Sequence, residues 1–243
     1  MGGAGPQGPV AAAAGDGRVN RRRAVPVAVV VAAPALIALA VLTALVLARS
    51  GTPFAVDTAV RDVALNHRAG LGPAAKALTS TGTGVVPYLL AGVAGWIASG
   101  RALGVVAAEA VLGAGQLVRI GLRVAVDRPR PPADGWLSAA HGASFPSGHA
   151  TTSALAGGLL AWALLRRCPG GPGRAAAGCA LLWAVGVALT RVVLGVHWAS
   201  DLVGGWLLAT GWLALTLPVL ARFPERPALP VRPWWRRRNP RIG

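Results

Sequence analysis

Lysine is all but missing from this 243-residue chain: Lys76 stands alone among 24 basic residues, the other 23 being arginine. Acidic residues are nearly as scarce, eight in all, and charged residues make up 13% of the sequence, against roughly 25% in soluble domains. The net charge of +16 would by itself suggest a nucleic-acid partner, but a total charge this low and a mean hydropathy of +0.55 exclude that class. Cys168 and Cys179 are the only cysteines, too few for a disulfide framework. No cluster of carboxylates has the look of a hard-cation site, and no internal repeat is present. With 54% hydrophobic residues, disorder over the whole chain is excluded as well.

What is abundant is uncharged apolar sequence. After a Gly/Ala/Pro-rich stretch and Arg21-Arg22-Arg23, residues 24–48 carry no charge, enough to cross a hydrocarbon core of roughly 30 Å. This run is too long for the apolar region of a cleaved signal peptide, about 7–15 residues, and reads as a signal anchor. Five more runs follow, at 85–99, 102–122, 148–165, 175–196 and 198–221. The expected fold is therefore all-α: a polytopic membrane protein with six transmembrane helices. Between the first two spans, Val56, Val60, Val63 and Ala64 have helical spacing with Asp57, Arg61 and Asp62 on other faces, predicting an amphipathic helix at the interface in the first outer loop. The organisation expected is a disordered N-terminal tail at 1–23, a six-helix membrane domain at 24–221, and a basic Pro/Arg-rich tail at 222–243.

The arginines orient the chain. Arg166, Arg167 and Arg174 crowd one short connection, and seven arginines lie between Arg222 and Arg241. Short positive loops are retained in the cytoplasm, so both termini are expected inside. Three polar clusters then face outward: Arg123 to Pro131, Phe145 to His149, and Thr190 to Asp201.

Each cluster suits phosphate chemistry. Arg123, Arg130 and Arg191 carry permanent charge on forked donors that match phosphate oxygens. Pro146-Ser147-Gly148 at a helix start offers a first-turn proline, a glycine that lets the backbone approach, and free N–H groups backed by the helix dipole. His197 and Asp201 are four residues apart on one helical face, so the carboxylate can accept the imidazole Nδ1–H and leave Nε2 free to attack. His149, on another helix, is available as a proton donor. Together these groups suggest phosphoryl transfer through a phosphohistidine.

The three clusters resemble the signature of the type 2 phosphatidic acid phosphatase superfamily. The family pattern is Lys-x6-Arg-Pro, Pro-Ser-Gly-His and Ser-Arg-x5-His-x3-Asp. In this chain it reads Arg123-x6-Arg130-Pro131, Pro146-Ser147-Gly148-His149 and Thr190-Arg191-x5-His197-x3-Asp201. Arg123 replaces the usual lysine with a larger planar donor, and Thr190 replaces serine while keeping a hydroxyl. The resemblance implies that His197 is the nucleophile, that Asp201 orients it, and that His149 protonates the leaving oxygen and then activates water. It implies that Arg123, Arg130, Arg191, Ser147 and Gly148 bind the phosphate oxygens, with no metal and no cofactor.

The function so implied is a membrane lipid phosphatase with its site outside the cytoplasm. Phosphatidic acid, phosphatidylglycerol phosphate and polyprenyl phosphates or pyrophosphates are the substrate classes, and membrane lipids, not nucleic acid, are the partners. A lipid phosphotransferase that passes the phosphoryl group to a second hydroxyl is the alternative. Outside the motifs, Arg128 reads as an interface anchor and Asp127, beside Arg128 and Arg130, as a local charge partner. Arg119 reads as an interhelical hydrogen-bonding residue, Glu109 as a bundle contact or a neutral acid, and His67 and His141 as solvated loop residues.

Overall fold

The computed structural model describes residues 19–222, and side chains from residue 28 onward. The two tails expected at the ends lie almost wholly outside these residues. Eight α-helices make up the fold: α1 Val19–Ala48, α2 Ala55–His67, α3 Gly72–Ser80, α4 Val85–Ser99, α5 Ala102–Val126, α6 Gly148–Arg167, α7 Gly171–Val193 and α8 Ala199–Leu220. Only a three-residue 3-10 turn, Ala133–Gly135, interrupts the long α5–α6 connection.

Among the described residues four helical segments are long and apolar enough to cross a membrane: Ala28–Ala48, Ala102–Val126, Gly171–Val193 and Ala199–Leu220. The pair Gly72–Ser80 and Val85–Ser99 passes the same test jointly, bent by 49°, which raises the number to as many as five. The chain is thus an all-α polytopic membrane protein. The 20-residue α6 is not among these segments, and its place in the bundle explains why. It packs against α4, α5, α7 and α8, so its surface meets other helices more than lipid, and Thr151, Thr152 and Ser153 are buried within the protein. Around it the core is built from small and branched residues, among them Ala91, Ala94, Leu112, Leu155, Leu159 and Ala209. Small residues let helix backbones approach where no water-driven force separates lipid from protein.

The segment between α1 and α4 differs in part from its sequence reading. α2 forms where the spacing predicts, with Val56, Val60 and Val63 exposed. Asp57, however, expected on a polar outer face, is fully buried. The second helix of this segment, α3, packs against α7. α2 packs against both α7 and α8, so the segment lies over the end of the bundle where the three polar clusters meet.

Candidate active site

α5 ends at Asp127, which adopts a left-handed conformation with φ 42° and donates its backbone N–H to the Arg123 carbonyl. The chain then runs through Arg128–Pro131 across the mouth of the bundle and returns at α6. Ser147 is the N-cap of α6 and its Oγ accepts the Ala150 N–H. Pro146 therefore precedes the cap and is not in the first turn, and Gly148 is the first helical residue. α7 delivers Thr190 and Arg191 in its last turn. The turn after it requires Gly195, whose φ is +76° and where a Cβ would stand 2.3 Å from the Gly135 carbonyl oxygen. This close approach brings His197 over the site immediately before α8.

A cavity of about 320 Å³ opens among these elements, and its lining includes Arg123, Arg130, Arg191, Gly148, His149 and His197. Of the residues singled out in the sequence, these six share one wall. Asp201 stands behind His197, fully buried. Ser147 does not reach the lining: its hydroxyl is taken up by the helix cap, and its N–H donates to the Asp201 carbonyl at 3.0 Å, joining the starts of α6 and α8. Thr190 is likewise turned inward, its Oγ1 donating to the Val187 carbonyl.

The hydrogen bonds fix the state of His197. Arg130 Nη1 lies 3.0 Å from His197 Nε2 and 2.9 Å from the Val196 carbonyl. A guanidinium can only donate, so Nε2 accepts and presents its lone pair on the cavity side. The proton then sits on Nδ1, which donates to Asp201 Oδ2 at 3.2 Å. Oδ2 also accepts the Trp198 N–H at 2.9 Å. Burial holds the imidazole below its ordinary pKa, helped by the charges of Arg130 and Arg191 and opposed by Asp201. Arg130 is itself pulled down by burial and by Arg123, with Asp201 acting against them. Arg191 is held by Thr79 of α3, Nη1 to Oγ1 at 2.9 Å, and its buried Nε has no partner.

Behind this wall lies a network that the motifs do not contain. Arg128 is completely buried. Its Nη1 donates to Asp201 Oδ1 at 2.8 Å and to Ser200 Oγ at 2.7 Å, its Nη2 to Asp57 Oδ2 at 2.8 Å, and its Nε to the Gly51 carbonyl. Asp57 Oδ1 in turn accepts the Ser200 N–H, and its Oδ2 accepts the Ser200 hydroxyl and the Phe54 N–H. Burial alone would raise the Asp57 pKa, but the bonds from Ser200, Arg128 and Phe54 outweigh it and hold it below the ordinary value. Arg128 is thus no interface anchor, and its carboxylate partners are Asp57 and Asp201, not Asp127, which caps α5. A fully satisfied buried pair of this kind fixes one geometry.

Several other sequence readings are settled by position. Arg119 lines the cavity and bonds to Gln116 within α5, the bond to α6 being made by Gln116, and His141 also lines the cavity, exposed. Glu109 faces α4 at Gly92, a bundle contact. His67 bonds only to the Val63 carbonyl of its own helix. Among the described residues no group of three or more His, Cys, Asp or Glu side chains has metal-binding geometry. Asp57, like Arg128, is a member of the site that motif spacing misses. The one available signal is an acid in the first turn of an amphipathic helix, and it does not reveal a partner 71 residues away.

Comparison with known proteins agrees with this geometry. No curated protein sequence matches the chain. Among solved structures, the crystal structure of the first transmembrane PAP2 type phosphatidylglycerolphosphate phosphatase from Bacillus subtilis is similar, with a TM-score of 0.66 and 23% sequence identity over 77% of this chain and 94% of that one. That likeness establishes the shared fold. The family model for the PAP2 superfamily matches residues 101–224, half of the chain, and spans all three polar clusters. The chain belongs to the PAP2 superfamily.

Proposed function

We propose that this chain removes phosphate from a lipid phosphomonoester or diphosphate at the outer face of a cell membrane, through a phosphohistidine on His197. The observation that carries the reading is the tautomer of His197: Asp201 takes the Nδ1 proton while Nε2 faces a cavity walled by guanidinium groups. As a phosphate oxygen takes over the Arg130 Nη1–H, Nε2 is left with its lone pair free and attacks phosphorus in line, forming an N–P bond as the P–O bond to the leaving group breaks. The leaving oxygen takes that electron pair and a proton from His149. Water then gives a proton to His149 and attacks phosphorus, which releases inorganic phosphate and neutral His197. Arg123, Arg130, Arg191 and the N–H of Gly148 hold the three equatorial oxygens, where charge builds in the transition state. Ser147 supports them by capping the helix on which Gly148 and His149 stand.

The same reading completes the topology. α1, α4, α5, α6, α7 and α8 are six spans, α6 being shielded by its neighbours. Both termini and the arginine-rich α6–α7 connection lie in the cytoplasm, and the cavity lies at the opposite end. The exposed valines of α2 rest in the interface, with residues 24–221 forming the phosphatase domain between two basic tails. The test is phosphate release by the purified chain from lipid phosphates and polyprenyl diphosphates, beside His197→Ala. Release abolished in a variant that still folds supports the nucleophile, and near-normal release by that variant refutes it.

A further inference from the structure

Arg119 belongs to none of the three motif clusters, yet it lines the same cavity as Arg123, Arg130 and Arg191. It precedes Arg123 by one helical turn on α5, about 6 Å farther from the end of the bundle where His197 sits. Two helices fix its stem. Its Nε donates to Gln116 Oε1 at 3.2 Å, Gln116 Nε2 donates to Thr152 Oγ1 of α6, and Thr152 Oγ1 donates to the Gly148 carbonyl. Its terminal nitrogens are directed toward the start of α6, where a Cβ on Gly148 would stand 3.4 Å from Nη1.

The charge around the cavity is out of balance. Four guanidinium groups line it and no carboxylate does. Arg119 and Arg123 are like charges four residues apart on one helix face, a pairing that repels. Arg191 is buried and the other three are half-buried, so this charge of one sign calls for a counter-charge. Three guanidinium groups are enough for the three equatorial oxygens of one phosphoryl group, and Arg119 is the one left over. The cavity, about 320 Å³, holds on the order of ten water volumes, room for more than one phosphoryl group.

We propose that Arg119, steadied by Gln116, forms a second anion subsite for the lipid-side phosphate of a diphosphate substrate. This rests on the phosphatase reading above and narrows its substrate class. The direction fits: in a lipid diphosphate bound with its terminal phosphorus at His197, the inner phosphate must lie toward the bilayer, one turn deeper on α5. His197 Nε2 bonds the terminal phosphorus, and the bond from that phosphorus to the bridging oxygen breaks. The bridging oxygen leaves with that electron pair and the proton of His149 on a lipid monophosphate whose remaining charge Arg119 meets. Water then frees His197 and yields inorganic phosphate, as for a monoester.

The experiment compares a prenyl monophosphate and the diphosphate of the same prenyl chain as substrates for the purified full chain, its Arg119→Gln variant and its Arg119→Lys variant. The expected result is a kcat/KM on the diphosphate that falls at least tenfold more than on the monophosphate in Arg119→Gln. Arg119→Lys, which keeps charge but loses the fork, should recover part of the difference. Equal losses on the two substrates, or no loss on the diphosphate, overturn the subsite alone. If Arg119→Gln does not fold, Arg119→Lys carries the same comparison: a selective diphosphate loss supports the subsite and equal losses overturn it. A wild type that releases phosphate from neither substrate overturns the phosphatase reading itself.

Discussion

Arg130 Nη1 donates a 3.0 Å hydrogen bond to His197 Nε2, the very nitrogen assigned as nucleophile. A proton on Nε2 would end that bond and set an imidazolium against a guanidinium. Burial and the neighbouring arginines accordingly keep the His197 pKa below its ordinary 6.5. Because the neutral imidazole is the reactive form, kcat/KM should hold its plateau as pH falls through 6.5 and decline only below it, as His197 takes up its proton. The pH profile of phosphate release checks this, and an acid limb centred at or above pH 6.5 contradicts it.

Arg128 should be as sensitive as any motif residue. Arg128→Leu leaves Asp57 and Asp201 buried without their shared cation, a change that costs about 3–5 kcal/mol when one partner of a buried pair is removed. The expected outcome is a marked drop in thermal stability in detergent together with loss of most activity. Asp57→Asn should lower kcat more than it raises KM, since it acts through Arg128 on the orientation of Asp201 and touches no substrate. The double variant should fall well short of the sum of the two single losses, as expected for residues sharing one network.

Gly195→Ala tests the turn that delivers His197. The added Cβ meets the Gly135 carbonyl oxygen at 2.3 Å and the backbone keeps φ near +76°, so the turn must move. A loss of about 2 kcal/mol or more in stability should accompany a fall in kcat. Differential scanning and single-turnover phosphate release measure the two, and a variant that is normal in both shows that the turn is tolerant.

Since guanidinium groups supply the positive charge in the proposed reaction, turnover should persist in excess EDTA. Vanadate, which adopts the five-coordinate geometry of the attacked phosphorus, should inhibit competitively. Activity that disappears with chelation and returns with Mg²⁺ contradicts the mechanism.

The histidines, Asp201 and the three motif arginines were legible in the sequence because their spacing is local: x6 from the last turn of α5 into the loop after it, x5 from the last turn of α7 to His197, and x3 from His197 into α8. Position along the chain also predicted which end of each span they would occupy. Arg128 was not legible, because it falls among the unspecified residues of its own motif and beside an aspartate that looks like its partner. Asp57 was hidden for a different reason. Periodicity assigns it to the polar side of an amphipathic helix, and only packing against α8 reveals that this side faces inward. The helical character of 148–165 was visible, yet its centrality was not, since hydropathy records how apolar a segment is and not whether lipid or protein surrounds it.

The Asp57–Arg128–Asp201 connection also has a temporal side. Its members lie 71 and 73 residues apart, and Ser200 and Asp201 open the final helix. A growing chain meets its segments in order from the N-terminus, so α1 to α7 exist before the last two members are made. Until α8 emerges, Arg128 lacks one carboxylate and His197 has nothing to hold its tautomer. The carboxylate that pairs with His197 Nδ1 is therefore supplied only once α8 has been made, and a product cut short of that helix cannot form the pairing.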